Sequence, residues 1–341
     1  MLSAALPPEL HQIAREAART GRRPAPPRTA TVLGLGHHLP SEVVTNGDIA
    51  EGLGVDDQWI IKRTGIHARR RAAANEGTTD MAVFAARKAL QDARVDARDL
   101  DFVIVATMSA DEITPNCAPL VAHALGAERA AAFDIGAACT GFLAGLSQSA
   151  ALIEVGRAER ILLIGAEKLT RITDFHDKKT GMLFGDGAGA VVLGPSDSDS
   201  GIGPIDLLAD GGLGDTIVAT PEDPYIRMDG ISTFKIAVKR LSESTVYACA
   251  AADIDLDDID LFVYHQANSR IIKAVGERLD LDPAKVADYI AQLGNTSAAS
   301  IPLTLSLSRE DGRLRAGHKV LVAAIGAGFT WGAGVMEWTG P

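Results

Sequence analysis

The chain's two halves carry nearly the same pattern, and that repetition constrains its fold more than any other feature. ARDLDFVIVAT (97–107) lies over LDDIDLFVYHQ (256–266) at a constant shift. GFLAGLSQSAALIEVG and RILLIGAEK in the first half match TSAASIPLTLSLSREDG and KVLVAAIGAG in the second at a similar shift. A period near half the chain predicts two like units packed against each other. Within each unit, apolar strands alternate with amphipathic helices. That predicts an α/β protein with parallel-rich sheets sandwiched by helices. The polar cluster SDSDSG (196–201) is a natural boundary and gives halves over 29–198 and 199–341. Residues 1–28 stand outside the repeat. There ELHQIAREAAR predicts a short helix and TGRRPAPPR an extended linker, so the segment reads as an accessory arm.

Composition narrows the partners. A net charge of −11 argues against nucleic acid, while leaving room for a local basic patch that meets an acidic partner. The three cysteines, Cys117, Cys139 and Cys249, have no paired spacing, which points to a reducing cytoplasm rather than a disulfide framework. No Cys or His spacing fits a metal site. No apolar run approaches a membrane span, and the N-terminus lacks the apolar core of a signal peptide.

The first chemical candidate lies in FDIGAACTGFL (133–143). A strand end is followed by small residues, then Cys139, then an apolar-periodic helix closed by Gly156. Unpaired N–H groups at a helix start favour a thiolate over a thiol. The alternative is a buried cysteine acting as a small hydrophobe. His265 follows strand DLFVY in the second half. Asn295, in LGNTSAASIP, falls where the repeat puts the counterpart of the cysteine turn. If the halves pack about a pseudo-twofold axis, the three converge at strand carboxyl ends, where open α/β sheets bind ligands.

Other stretches are less specific. GLG in TVLGLGHHLP lacks the rest of a dinucleotide fingerprint. TNGDIAEGL predicts a helix capped by Asn46 or Asp48. Trp59, Lys62, Arg63 and residues 69–71 form a basic-aromatic cluster, readable either as a solvated helix face or as a seat for phosphates and a base. GDGAG (185–189) lacks the Lys-Ser/Thr ending of a phosphate loop and reads as a turn between packed strands. The Gly/Pro-rich stretch 209–230 is placed to line a ligand entrance.

Taken together, GAACTGF, YHQANSRII, GNTSAASIP, GAGFTWG and QWIIKRTGI resemble the ketoacyl-ACP synthase III family of thiolase-fold condensing enzymes. The resemblance runs from about residue 30 to the end of the chain. It implies two duplicated α/β halves in a layered α-β-α-β-α arrangement, a homodimer, and no cofactor beyond acyl-CoA as substrate. The implied reaction moves an acyl primer from CoA to Cys139 and condenses it with malonyl-ACP as CO2 leaves, starting a fatty-acid or polyketide chain. The resemblance assigns the oxyanion hole to the backbone N–H groups of Cys139 and Ala327. His265 and Asn295 become donors to the enolate oxygen. It places the CoA adenine between Trp59 and Arg171, the CoA phosphates near Arg63, pantetheine beside Asn268, and the acidic carrier protein on Lys235 and Arg270.

Two positions depart from the family pattern. Glu277 stands where a lysine is frequent, with Arg278 keeping a positive charge beside it. Thr114 replaces a bulky aromatic on the wall of the partner's acyl pocket, which predicts room for primers longer than acetyl. The final turn AIGAGFTWG lacks the second cysteine of thiolases, which favours decarboxylation over deprotonation. Competing readings are an acyltransferase using another nucleophile on the same scaffold, a non-catalytic binding protein and a cysteine hydrolase.

Overall fold

A computed structural model describes residues 28–196 and 200–340. The first half is built on five strands: β1 (Ala30–His38), β4 (Phe102–Ala106), β5 (Ala131–Ile135), β6 (Ile161–Glu167) and β7 (Gly187–Pro195). They lie in the order β1-β7-β6-β4-β5. A hairpin of β2 (Glu42–Thr45) and β3 (Ala68–Arg71) branches from it. The second half repeats four of the five strands: β8 (Ile202–Ala209), β11 (Leu261–Tyr264), β12 (Lys319–Gly326) and β13 (Thr330–Glu337), in the order β11-β12-β13-β8. The counterpart of β5 is reduced to a single bridge between Phe262 and Val286. A two-residue ladder joins β9 (Ile217–Val218) and β10 (Arg227–Met228).

The helices are α1 (Asn46–Leu53), α2 (Asp57–Thr64), α3 (Thr78–Ala93), α4 (Cys117–Leu125), α5 (Gly141–Glu154), α6 (Gly230–Ala251), α7 (Ser269–Leu279), α8 (Ile290–Leu293) and α9 (Ser300–Glu310). Two of them are central. Phe142 and Leu146 of α5 and Ile301 and Leu305 of α9 share one core with Val263 and Val322 of the second sheet and Ile104 of the first. Separate cores bind α3 and α4 to the outer face of the first sheet and α6 and α7 to the outer face of the second. The layers therefore run helix, sheet, helix, sheet, helix. This explains why β6 reads ILLIGAE without alternation: both of its faces are buried.

Several local readings change in the structure. The sheets are mixed rather than parallel-rich, because β7 runs antiparallel to both β1 and β6, and β13 to both β12 and β8. Apolar runs report burial on both faces but not strand direction. Neither Asn46 nor Asp48 caps α1. Thr45 does, and its N–H donates to the Asp48 carboxylate at 2.7 Å. Residues 69–71 form β3 rather than a phosphate seat. Arg69 is buried and donates to the carbonyls of Met182 at 2.8 Å and Val44 at 3.3 Å. The GDGAG segment opens β7 as a packed turn, with Asp186 accepting from Ala72 N and Thr170 N. The expected arm lies outside the described residues except for Arg28, which pairs with Glu159 at 2.6 Å.

The halves meet through glycine. A Cβ on Gly165 of β6 would stand 2.3 Å from the Ala298 carbonyl oxygen, and one on Gly189 of β7 would stand 2.7 Å from Leu303 N. Backbone from the second half thus lies directly on the first sheet. Gly165→Ala should cost roughly 1–3 kcal/mol by overpacking. A lowered thermal midpoint checks this. An unchanged midpoint would show that the crossing yields at no cost.

Candidate active site

Cys139 sits in the short turn Ala138–Thr140 that leads into α5. Ala138 enters it at φ 45°, in the left-handed region. The Thr140 hydroxyl donates to Ala137 O at 2.6 Å and shares a hydrogen bond with Thr330 at 2.7 Å, which ties the turn to the start of β13. A Cβ on Gly326 would lie 2.9 Å from Cys139 N, so only glycine leaves that nitrogen approachable. Ala327 follows in the same wall.

The expected thiolate is corrected here. Cys139 keeps some surface toward the cavity, yet protein encloses the sulfur, and burial pushes the thiol up to about 11. Ser297 and the turn's own N–H pull it down by less, and Glu167 adds to the rise. The helix start is a local effect that a sequence shows. The enclosure comes from the other half and is invisible to it.

His265 follows β11, its N–H bonded to Ala323 O at 2.8 Å. Its Nδ1 is 2.6 Å from Ser300 Oγ, which also accepts from Gln266 N at 3.3 Å. The Ser300 hydroxyl has no other acceptor among the described residues, which assigns its hydrogen to Nδ1 and leaves the ring proton on Nε2. Burial lowers the imidazole to about 3, so it is neutral. Asn295 lies just past Gly294, whose φ of 67° and lack of side-chain room admit glycine alone. Asn295 Oδ1 accepts from Ser297 N at 2.8 Å, which orients its NH2 group as a donor.

Cys139, His265 and Asn295 all line one cavity of about 1120 Å³ that runs from the junction of the halves to the surface. The 209–230 stretch forms part of its wall through Thr216, Ile217 and Met228. At the mouth, Trp59 is half-buried with the Arg63 guanidinium 3.8 Å over its ring. Lys235 and Arg270 are exposed there, and Arg270 lies 5.5 Å over Phe234.

The remaining expected residues differ in where they lie. Arg171 does not line the cavity. It pairs with Asp111 at 2.7 Å and donates to Ala110 O at 2.6 Å, so the cation on Trp59 is Arg63. Lys178 and Lys179, which the sequence reading missed, are exposed at the mouth. Asn268 lines the cavity but is largely occupied, capping α7 through Arg270 N at 2.9 Å and donating to Arg63 O at 3.1 Å. Thr114 is exposed and lines no part of this chain's cavity. Glu277 pairs with Lys273 at 3.8 Å, and Arg278 is exposed beside it. Ser297 and Ser300 were also missed, having looked like small residues in a tight turn.

Like halves that enclose a cysteine between them are the architecture of the thiolase-fold condensing enzymes, and the comparisons agree. Residues 133–211 match the family described as 3-oxoacyl-[acyl-carrier-protein (ACP)] synthase III, and residues 249–338 match its C-terminal family. The beta-ketoacyl-[acyl-carrier-protein] synthase III of Geobacillus kaustophilus is 43% identical over 309 residues, covering 91% of this chain and 99% of that one. The crystal structure of the Aquifex aeolicus synthase III superposes with a TM-score of 0.89 at 40% identity, over 91% of this chain and all of that one. The priming β-ketosynthase of the R1128 polyketide pathway gives a TM-score of 0.89 at 34% identity, over 94% and 99% of the two chains. This chain belongs to the 3-oxoacyl-ACP synthase III family, whose members are acyl-transferring enzymes.

Alkylation by iodoacetamide reads the state of Cys139. The rate should rise about tenfold per pH unit from 7 to 10, because the thiolate is scarce throughout. Cys139→Ala supplies the baseline, since Cys117 and Cys249 are buried. A plateau near pH 7 would contradict the raised thiol.

Proposed function

We propose that this chain condenses an acyl-CoA primer with malonyl-ACP, releasing CO2 and leaving a 3-ketoacyl-ACP. The observation that carries this reading is a pair of neutral donors, His265 Nε2–H and the Asn295 amide, on the cavity that reaches Cys139. In the first half-reaction the Cys139 sulfur attacks the thioester carbonyl, and the N–H groups of Cys139 and Ala327 receive the oxyanion. CoA leaves as its thiol. In the second, CO2 departure leaves its electron pair on malonyl-ACP as an enolate. The two donors stabilise the enolate oxygen, and no base is required. The enolate carbon attacks the acyl-Cys139 carbonyl, the C–S bond breaks, and the departing Cys139 sulfur takes up a proton from solvent to become the thiol again.

The mouth supports the substrate assignment. Trp59 offers a stacking face, Arg63, Lys178 and Lys179 offer positive charge for phosphates, and exposed Lys235 and Arg270 suit an acidic carrier protein. The Glu277–Lys273 pair removes charge from one side of that patch. The acting form we infer is a homodimer in a reducing cytoplasm. β5 is a free sheet edge, and Ile113 beside Thr114 is fully exposed in the isolated chain. A second copy across that edge would bring Thr114 to the partner's acyl pocket, where its small size leaves room for primers longer than acetyl.

The reaction is tested by CO2 release from malonyl-ACP in the presence of acyl-CoA. His265→Ala and Asn295→Ala should each lower it by about 100-fold or more while Cys139 still becomes acylated. Transfer of the acyl group to another nucleophile without CO2 would favour the plain acyltransferase instead. Primer choice is read by competition between acetyl-CoA and a medium-chain acyl-CoA. Medium chains should compete well with the natural Thr114 and lose about tenfold or more in Thr114→Phe. A strong acetyl preference in the natural protein would refute the wider pocket.

A further inference from the structure

Where the second half lacks a full counterpart of β5, one side chain takes the place of the missing strand. Phe262 of β11 bridges Val286 in parallel, and Phe262 O accepts from Ala287 N at 3.0 Å. In a parallel ladder the rung repeats two residues on, which would pair Tyr264 O with Tyr289 N. The carboxamide of Gln266 stands in that rung instead. Tyr289 N donates to Gln266 Oε1 at 2.9 Å, while Gln266 Nε2 donates to Tyr264 O at 2.8 Å and to Ala287 O at 3.2 Å. The nitrogen faces two carbonyls and the oxygen faces an N–H, so the partners fix which way the amide lies. Gln266 is 2% exposed, and its removal would leave three enclosed backbone groups without it.

This amide joins the two segments that carry the enolate donors. On its own chain Gln266 directly follows His265. Ala267 N returns to His265 O at 2.9 Å, closing a tight turn over Gln266. Gln266 N donates to Ser300 Oγ, the same atom that meets His265 Nδ1. On the facing chain, Tyr289 opens α8, which closes with Gly294 N on Ile290 O at 2.9 Å and delivers Asn295. The first half pins the Asn295 peptide, with Asn295 N on Leu183 O at 2.8 Å and Gly185 N on Asn295 O at 3.0 Å.

We propose that Gln266 is a positioning residue that sets His265 relative to Asn295, so that both donors reach one enolate oxygen. This rests on the condensing reading above. Gln266 does not line the cavity and acts through the turn that presents His265. It holds β11 and the 287–289 segment one amide width apart. Without it, the two segments either close on each other or part, and His265 moves against the pinned Asn295. The cysteine turn is held by other bonds, from Thr140 to Ala137 O and Thr330, so acylation is spared.

The test separates the two half-reactions. Cys139 acylation by acyl-CoA is followed in a single turnover by quench and intact mass. Condensation is followed as CO2 release when saturating malonyl-ACP is added to enzyme already acylated. Gln266→Met fills the space with an unbranched apolar chain and makes none of the three bonds. It should acylate within about twofold of the natural rate and condense about 30-fold more slowly. Gln266→Glu has the same size, still accepts from Tyr289 N and, held as the buried acid, donates to one carbonyl. It should recover most of the loss, condensing about threefold more slowly than the natural protein. If Gln266→Met does not fold, that threefold loss with acylation unchanged carries the test alone. Equal losses in both half-reactions would mark a brace for the fold at large and overturn the assignment. Natural condensation in Gln266→Met, or in Gln266→Glu where it stands alone, overturns it too, as does a Glu variant no faster than Met. A natural protein that is acylated but releases no CO2 overturns the condensing reading, and this assignment with it.

Discussion

The chemistry of this chain depends on how closely the backbone of one half can lie on the other. Gly165 and Gly189 in the first sheet have no side chains where Ala298 O and Leu303 N press against them. Gly326 in the second half does the reciprocal service beside Cys139 N. Even a single Cβ at these three positions would overlap the facing backbone and force it away. With glycine there, α5 and α9 run side by side in a shared apolar core, and the loops that open them share a cavity. Cys139 from one half and His265 and Asn295 from the other then reach one cavity without long-range adjustment.

Much of this was legible because burial writes itself into composition. Strands covered on both faces are unbroken apolar runs, and the repeat says that what holds for one half holds for the other. That Cys139, His265 and Asn295 would come to one cavity was legible because the repeat placed them at equivalent ends. What escaped the sequence was set by tertiary contact. Strand direction in β7 and β13 leaves no trace in an apolar run. Arg69 reads as a surface cation in ARRR but spends its guanidinium on two carbonyls in the interior. The pairing of Arg171 with Asp111, sixty residues earlier, left no mark in the sequence. Ser300 was hidden by its smallness, although it sets which imidazole nitrogen keeps the proton.

The halves have kept the same backbone and divided the chemistry. Ala138 and Ser297, at matching places in the two turns, both hold a left-handed backbone, with φ of 45° and 47°. The shift that superposes them puts Ala298 opposite Cys139, Gly136 opposite Asn295 and Ala106 opposite His265. At each of these positions one half supplies a polar side chain that lines the cavity and the other a small residue. A reacting carbonyl needs space on one side of the nucleophile and donors on the other. Two identical turns would crowd the space with a second copy of every group, so the asymmetry follows from what one substrate can occupy.

That division also explains why the interior is neutral. The enclosure that makes Cys139 reluctant to ionise also strips His265 of its charge. At first sight this works against a thiol nucleophile. In a water-filled cleft, however, the donors of His265 and Asn295 would be diluted by solvent, and an enolate would gain little from them. In the proposed reaction, enclosure of these side chains by protein strengthens both donors as charge develops on the substrate oxygen. It does so at the cost of a resting thiolate, so the thiol proton has to leave in step with attack rather than beforehand. A charged imidazole would pair with the thiolate and hold it in an ion pair, blunting the nucleophile and losing the neutral donor together. The neutral state of Cys139 and His265 therefore follows from one choice, the burial of the junction between the halves.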